Sequence, residues 1–404
     1  MKKRLFYFGL EPLKARYTYQ LCKEWMPATF EPYSDRLKFI EVEGEFAPDQ
    51  EIKVGAVLDA IGRGKYSLTQ CQSFLQKIYD GTVRDGDIIY LQDYWTPGLD
   101  AIWYALDLYK INVKVYAMLH AQSVDEYDFT YPMSNWMRHY ELGLDKRMTA
   151  IFVGSSIHKE QLRAAGFTSP IHVVSLPIHK AATLEKLPNY ATAVAHGIVK
   201  KKNTVVYSSR FDKEKNPFFM FKVAKEFLKL NPTWEWHVTT SGKEFRSMLP
   251  GVIDAMNDLA QTEPRFKLLN GLTKEEYYTE LSTCKIQFNT SLQDYVSWTV
   301  IEATAFGADI VYPNFRSFPE FVDSSRMYKA FDWKDALAVL HKSMLSPLTH
   351  YDIVDKSDLG RRMEGYIIAN DYLNEICVWH ESELCEQLLK NEKVTYKEME
   401  FNFI

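Results

Sequence analysis

The chain has 404 residues, enough for two or three domains that each bury their own core. Its 48 basic and 53 acidic residues leave a net charge of −5, and 46% of positions are hydrophobic, 25% charged and 14% aromatic. These proportions exclude a disordered, collagen-like or strongly basic chain, so any polyanion would have to be met by a local patch.

Short β-branched or aromatic runs alternate with segments of helical period from beginning to end. In the first half the expected strands are Arg4 to Phe8, Lys38 to Val42, Ile88 to Leu91, Val113 to Leu119, Ala150 to Val153 and His172 to Leu176. Between them fall expected helices at Tyr17 to Trp25, Thr69 to Tyr79, Leu99 to Tyr109 and Ser156 to Ala165. The pattern lapses from Leu187 to Gly197, ahead of Lys200-Lys201-Lys202, which places a domain boundary at 195/196. It then restarts with strands Thr204 to Ser208, Glu235 to Thr239, Phe266 to Leu269, Lys285 to Asn289 and Asp309 to Tyr312. Helices Pro217 to Leu230, Val252 to Ala260, Lys274 to Ser282, Trp298 to Phe306 and Lys334 to Met344 separate or follow them. Because parallel strands need crossover helices, this rhythm predicts an α/β protein of two doubly wound parallel-sheet domains, residues 1–195 and 196–370. A helical stretch from Asp358 to Leu389 closes the chain, and residues 371–404 form an expected C-terminal segment returning to the first domain.

The five cysteines, Cys22, Cys71, Cys284, Cys377 and Cys385, are odd in number and contain no C-x-x-C pair. Reduced thiols in a cytoplasmic setting are expected, without a zinc knuckle or disulfide framework. Lys2-Lys3-Arg4 ahead of Leu5 to Leu10 imitates a signal peptide, but the apolar run stops at Glu11-Pro12, and no stretch approaches the ~18 apolar residues of a membrane span.

Ligands of open parallel sheets bind beyond the carboxyl ends of the strands, and in the second half those positions are polar and specific. Arg210 and Lys215 follow one strand, Asn270-Gly271-Leu272 another, and Ser291 to Glu302 a third, this last running into a helix whose first N–H groups favour an anion. Two cations and a helix N-terminus suit a diphosphate, and Glu302 is placed to accept hydrogen bonds from sugar hydroxyls. Taken one at a time, these residues are equally well read as solvated loop charges and a capping carboxylate. Asp85-Gly86-Asp87 has metal-site spacing but precedes its strand and is expected to be a turn. His380-Glu381 lacks a second histidine, and both Gly-rich phosphate signatures are absent, so no metal or P-loop is expected.

Arg210-x4-Lys215-Asn216, Asp294-x7-Glu302 with Ala303 and Gly307 after it, Phe266 to Gly271 and Pro319-Glu320-Phe321-Val322 together resemble retaining glycosyltransferases of the GT-B fold, family 4 type. The resemblance covers residues 204–325 well and the remainder as a domain pattern. It implies two Rossmann-like domains facing across a cleft and transfer of a hexose or pentose from a nucleoside-diphosphate sugar, expected to be a UDP-sugar, with no separate cofactor. It further implies that Arg210 and Lys215 hold the diphosphate, Asp294 faces the donor sugar and Glu302 binds the ribose. Tyr295, Val296, Ser297, Trp298 and Thr299 would present backbone to phosphate, while Gly271 and Leu272 border the base. His120, at the end of its strand, is similar to the family's histidine near the donor sugar, and a structural strand-end role is its alternative.

The acceptor is expected at first-domain residues Gly9, Arg16, Tyr17, Tyr94, Trp95 and Tyr127, with Phe129, Tyr131 and Trp136 to His139 adding aromatic and basic groups. Such a mixture suits an extruded base with its phosphates, a sugar-stacking platform or plain core. The opening Phe8 to Tyr17 looks like the start of glycosyltransferases encoded by tailed bacteriophages. That second resemblance implies DNA as partner, through a hydroxymethylated pyrimidine such as 5-hydroxymethylcytosine, in a host cytoplasm. A surface, lipopolysaccharide or capsular glycan is the alternative acceptor.

Overall fold

The computed structural model describes residues 2–14, 16–45, 62–120, 123–128, 130–174, 183, 186–190 and 200–346. The expected boundary at 195/196 and the segment after residue 346 lie outside these.

The first sheet is parallel throughout and contains β1 (Lys3–Phe8), β2 (Leu37–Glu41), β3 (Ile88–Leu91), β4 (Lys114–Leu119), β5 (Ala150–Val153) and β6 (Ile171–Val173) in the order β2-β1-β3-β4-β5-β6. Alternate residues of each strand go to opposite faces. Phe6, Phe8, Ile89, Leu91, Val115 and Ala117 join one core, whereas Leu5, Tyr7, Ile88, Tyr90, Tyr116 and Met118 join the other. The inner strands β3, β4 and β5 are buried on both faces, so they read as near-continuous apolar runs rather than alternating ones.

The second sheet contains β7 (Lys202–Tyr207), β8 (Glu235–Thr239), β9 (Phe266–Leu269), β10 (Cys284–Phe288), β11 (Asp309–Asn314) and β12 (Met327–Lys329) in the order β12-β11-β10-β7-β8-β9, again all parallel. Chain direction across the sheet reverses between β7 and β10, as it does between β1 and β3 in the first sheet. Such a switch point opens a crevice beyond the strand ends. The loops after β7 and β10 are those that carry Arg210, Lys215 and residues 289–297.

Helices cover both sheets: α3 (Gly62–Tyr79), α4 (Leu99–Leu108), α5 (Ser134–Asp145) and α6 (Ser156–Ala164) in the first half, then α7 (Pro217–Leu230), α8 (Val252–Thr262), α9 (Lys274–Thr283), α10 (Trp298–Ala305) and α11 (Trp333–Leu345). Before them, α1 (Tyr17–Tyr19) passes through a π-helical stretch, Gln20–Trp25, into α2 (Met26–Phe30). The wider winding turns Gln20, Leu21, Cys22 and Trp25 inward together, where an ordinary helix would carry some of them round to solvent. Local chemistry fixes several starts. Thr273 and Glu276 close a reciprocal capping box on α9, and Asp332 accepts from the N–H groups of Lys334 and Asp335 at α11.

Two elements correct the sequence expectation. Trp136 to His139 belong to α5, an amphipathic helix that buries Met137 and Glu141, rather than to an aromatic loop. The edge strand β12 is three residues long, too short for a periodicity of its own. Asp87 of the Asp-x-Asp sequence is buried and paired to Arg4, and Gly86 takes φ +82°, so this is the expected turn.

Candidate active site

A cleft of about 1380 Å³ runs between the carboxyl edges of the two sheets, and Arg16, His120, Arg210, Lys215, Asp294 and Glu302 all line it. Lys215 closes a 3₁₀ turn after β7, and Asn216, left-handed at φ 49°, redirects the chain so that Pro217 starts α7. The buried Lys215 ammonium donates to Ser291 Oγ (2.8 Å) and the Gln293 carbonyl (2.8 Å), and pairs with Asp294 Oδ2 (2.9 Å). Those three contacts use all its donors. Arg210 is more exposed and is held between Asp212 (3.1 Å) and Glu214 (3.0 Å). Burial pushes the Glu214 carboxyl up, against the pull of Lys215 and Arg210.

The β10–α10 loop is held from within. Asn289 accepts from the Ser291 N–H and donates to Ser209 and Thr299, while Thr299 and Tyr312 share a hydroxyl contact of 2.8 Å. Ser297 precedes α10 without capping it, its hydroxyl going to Thr299 instead, so the start of α10 faces the cleft with its dipole uncompensated by a cap. In α10, Glu302 is 3% exposed, and its Oε1 accepts from Lys274 Nζ (2.7 Å) and Tyr278 OH (3.0 Å).

On the first-domain side, His120 sits after β4 with Nε2 2.8 Å from the Gln92 carbonyl, and burial lowers its affinity for a proton. Arg16 shares Glu11 with the buried Arg63, which also meets Asp93 at 2.8 Å. Tyr17, Tyr127 and Asp128 reach the cleft. Four expected site residues do not. Tyr94 is 1% exposed in the core, its hydroxyl donating to the Glu141 carbonyl, and Trp95 packs edge-on against Trp136 and Tyr140. Gly9 lies against Tyr7 and Cys22, its carbonyl accepting from Gln70. Gly271, at φ +68°, donates its N–H to Gly242 and stays outside, whereas Leu272 lines the cleft.

The Tyr295 to Trp298 turn does more than border the cleft. Tyr295 stacks on His158 of α6 at 3.7 Å and donates to Gln161, and burial holds the His158 imidazole neutral. Val296 sits over Gly154 so closely that a Cβ there would come within 2.5 Å of it. Trp298 packs on Trp25 and Tyr17. Further along, Arg316 pairs with the buried Asp125 and stands 4.6 Å over the Tyr127 ring. Glu320 accepts from the N–H groups of Ser156 (2.7 Å) and Ile157 (3.1 Å) at the start of α6. Gln20, Lys274, Arg316 and Glu320 were not expected at this junction from sequence. Of these, Glu320 stood in the Pro319 to Val322 motif and Lys274 at the start of the expected helix that follows Phe266 to Gly271, neither with a role at the junction.

No protein-family model matches the chain, and no curated protein does. Solved structures do. The sucrose-phosphate synthase of Thermosynechococcus elongatus superposes with a TM-score of 0.60 at 13% identity, covering 97% of this chain and 100% of that one. The fold is GT-B. HepE of Anabaena, solved with UDP-glucose, gives 0.56 at 13% identity over 96% and 99% of the two chains. A UDP-N-acetylglucosamine 2-epimerase, so named provisionally, from Listeria monocytogenes gives 0.58 at 13% over 92% and 97%. A synthase and an epimerase thus share this GT-B architecture, and the chemistry must be argued from the site.

Proposed function

We propose that the protein is a retaining, nucleotide-sugar-dependent glycosyltransferase, with a UDP-sugar as donor and an acceptor hydroxyl as nucleophile. The observation that carries this reading is the convergence of Arg210, Lys215 and the start of α10 on one cleft that also holds Glu302. A diphosphate there would meet two fixed cations and a helix dipole where negative charge grows as the sugar departs. Lys215 and Arg210 already lie against Asp294 and Glu214, so the leaving group exchanges one anionic partner for another. The UDP-glucose bound in HepE agrees with that donor class. Retention and the family 4 assignment rest on the motif resemblance. No carboxylate is assigned as nucleophile; the chemistry asks the protein for positioning and charge stabilisation, with the departing phosphate taking the acceptor proton.

Two acceptors divide the reading. Hydroxymethylcytosine in phage DNA follows from the resemblance of the opening sequence, and Tyr17, Tyr127 and Tyr131 at the cleft suit stacking on an extruded base. A glycan is favoured by Glu126 and Asp128 on the same wall, since carboxylates accept from sugar hydroxyls and repel a phosphate backbone. Release of nucleoside diphosphate from UDP- and GDP-sugars, with and without hydroxymethylcytosine DNA or neutral oligosaccharides, tests both. A sugar mass on the base supports DNA, and a sugar mass on the oligosaccharide supports the glycan. Silence with every donor defeats the transferase reading.

A further inference from the structure

A line of buried hydrogen bonds crosses from the first domain to the donor side of the cleft. Gln20, in the π-helical stretch and 2% exposed, donates through Nε2 to the Tyr278 hydroxyl at 2.9 Å. The Tyr278 hydroxyl, with no exposed surface, lies 3.0 Å from Glu302 Oε1 and 3.2 Å from Gln20 Oε1; with Gln20 Nε2 donating to it, its single proton goes to the nearer, charged carboxylate. Lys274 reaches the same oxygen at 2.7 Å, its ammonium 5.0 Å from the centroids of both the Tyr277 and Tyr278 rings. Two donors on one carboxylate oxygen fix how the group is turned. One of them is itself oriented by a residue 258 positions away in sequence and in the first domain.

We propose that Gln20, acting through the Tyr278 hydroxyl, is a positioning residue for the donor nucleotide: it orients Glu302 toward the ribose, so that nucleotide recognition depends on the first domain being in place. This rests on the reading of Glu302 as the ribose carboxylate. The second domain supplies Glu302, Tyr278 and Lys274, but without Gln20 the Tyr278 hydroxyl loses its donor inside a dry contact. The π-helical winding gives this its local cause. It places Gln20 and Trp25 inward together, Trp25 stacking on Trp298 of α10 while Gln20 reaches the helix behind it.

The test is calorimetric titration of the full chain with UDP and with 2′-deoxy-UDP. Wild-type protein is expected to prefer UDP. Tyr278→Phe, which removes only the hydroxyl, and Gln20→Leu are each expected to weaken UDP by about tenfold and 2′-deoxy-UDP far less, so that the preference shrinks. The double variant should lose little beyond either single one, because both cut the same line. A lowered melting temperature with the preference intact in both variants would reduce Gln20 and Tyr278 to interface packing and overturn the inference. Glu302→Gln separates the two layers. If it leaves the preference at the wild-type value, the ribose reading fails and the inference with it. If it abolishes the preference while the other two variants keep it, only the positioning role fails. Wild-type protein that binds neither nucleotide overturns both.

Discussion

On the second-domain wall of the cleft, Arg210, Lys215 and Lys274 each meet a carboxylate within 3.0 Å; on the first-domain wall Arg16 meets Glu11 at 3.3 Å among tyrosines. The difference is between a wall of cations held by carboxylates and one where tyrosine rings stand beside Arg16, His120, Glu126 and Asp128. Cations already held in place, Lys215 among them desolvated as well, need little reorganisation when an anion replaces the carboxylates, which is the condition for strong charge stabilisation. Rings and hydroxyls tolerate varied partners. On the proposed reading, donor recognition falls to the second-domain wall and acceptor choice to the first-domain wall.

The sharpest way to break this contrast is Lys215→Ala. It strips three contacts from a buried loop and leaves Asp294 unpaired, so turnover should fall about a thousandfold and stability by about 3 kcal/mol. Normal diphosphate release at an unchanged melting temperature would mean that the wall is not prebuilt. Arg210→Ala should cost about a hundredfold in turnover while scarcely moving the melting temperature, because this guanidinium is 40% exposed. Equal damage to stability would make Arg210 a structural residue like its neighbour.

Asp128 sharpens the comparison from the first-domain side. Burial, reinforced by Asp125 and Glu214, pushes its carboxyl up to about 6, against the hydrogen bonds from Thr130. A raised carboxyl binds its proton more tightly in the folded state, so its ionisation costs stability as pH rises from the ordinary carboxylate value through 6. Asp128→Asn should accordingly gain about 1–3 kcal/mol on wild type at pH 8, with the gain gone by about pH 4. Urea unfolding at the two pH values reads it, and a gain independent of pH would detach the effect from this carboxyl. The smallest effect belongs to Tyr94→Phe. It should cost about 1 kcal/mol by leaving the Glu141 carbonyl short of a donor, with acceptor KM unchanged. A raised acceptor KM would return Tyr94 to the cleft side of the molecule.

The fold was largely legible because its central strands are buried and bounded by turns: β3 and β5 lie where the apolar runs lie. The second-domain side of the cleft was legible for a related reason, since the ends of parallel strands fix where functional groups must stand. Tyr94 and Trp95 also follow a strand, β3, yet one turns into the core and the other onto α5. Position after a strand places a backbone, and neighbouring packing decides where the ring goes. The reach of Gln20 to Tyr278 was invisible because it needs a π-helical stretch and a second domain, neither of which leaves a period in the sequence.

Glu320 has one more effect. Its carboxylate sits on the first N–H groups of α6, so the protein carries its own counterion at a helix end that would otherwise draw an anion. The corresponding end of α10 has no such occupant among the described residues. One helix start at this junction is thus silenced internally and the other left open, so a diphosphate bound as proposed would be drawn toward the second domain, the first-domain pole being already neutralised.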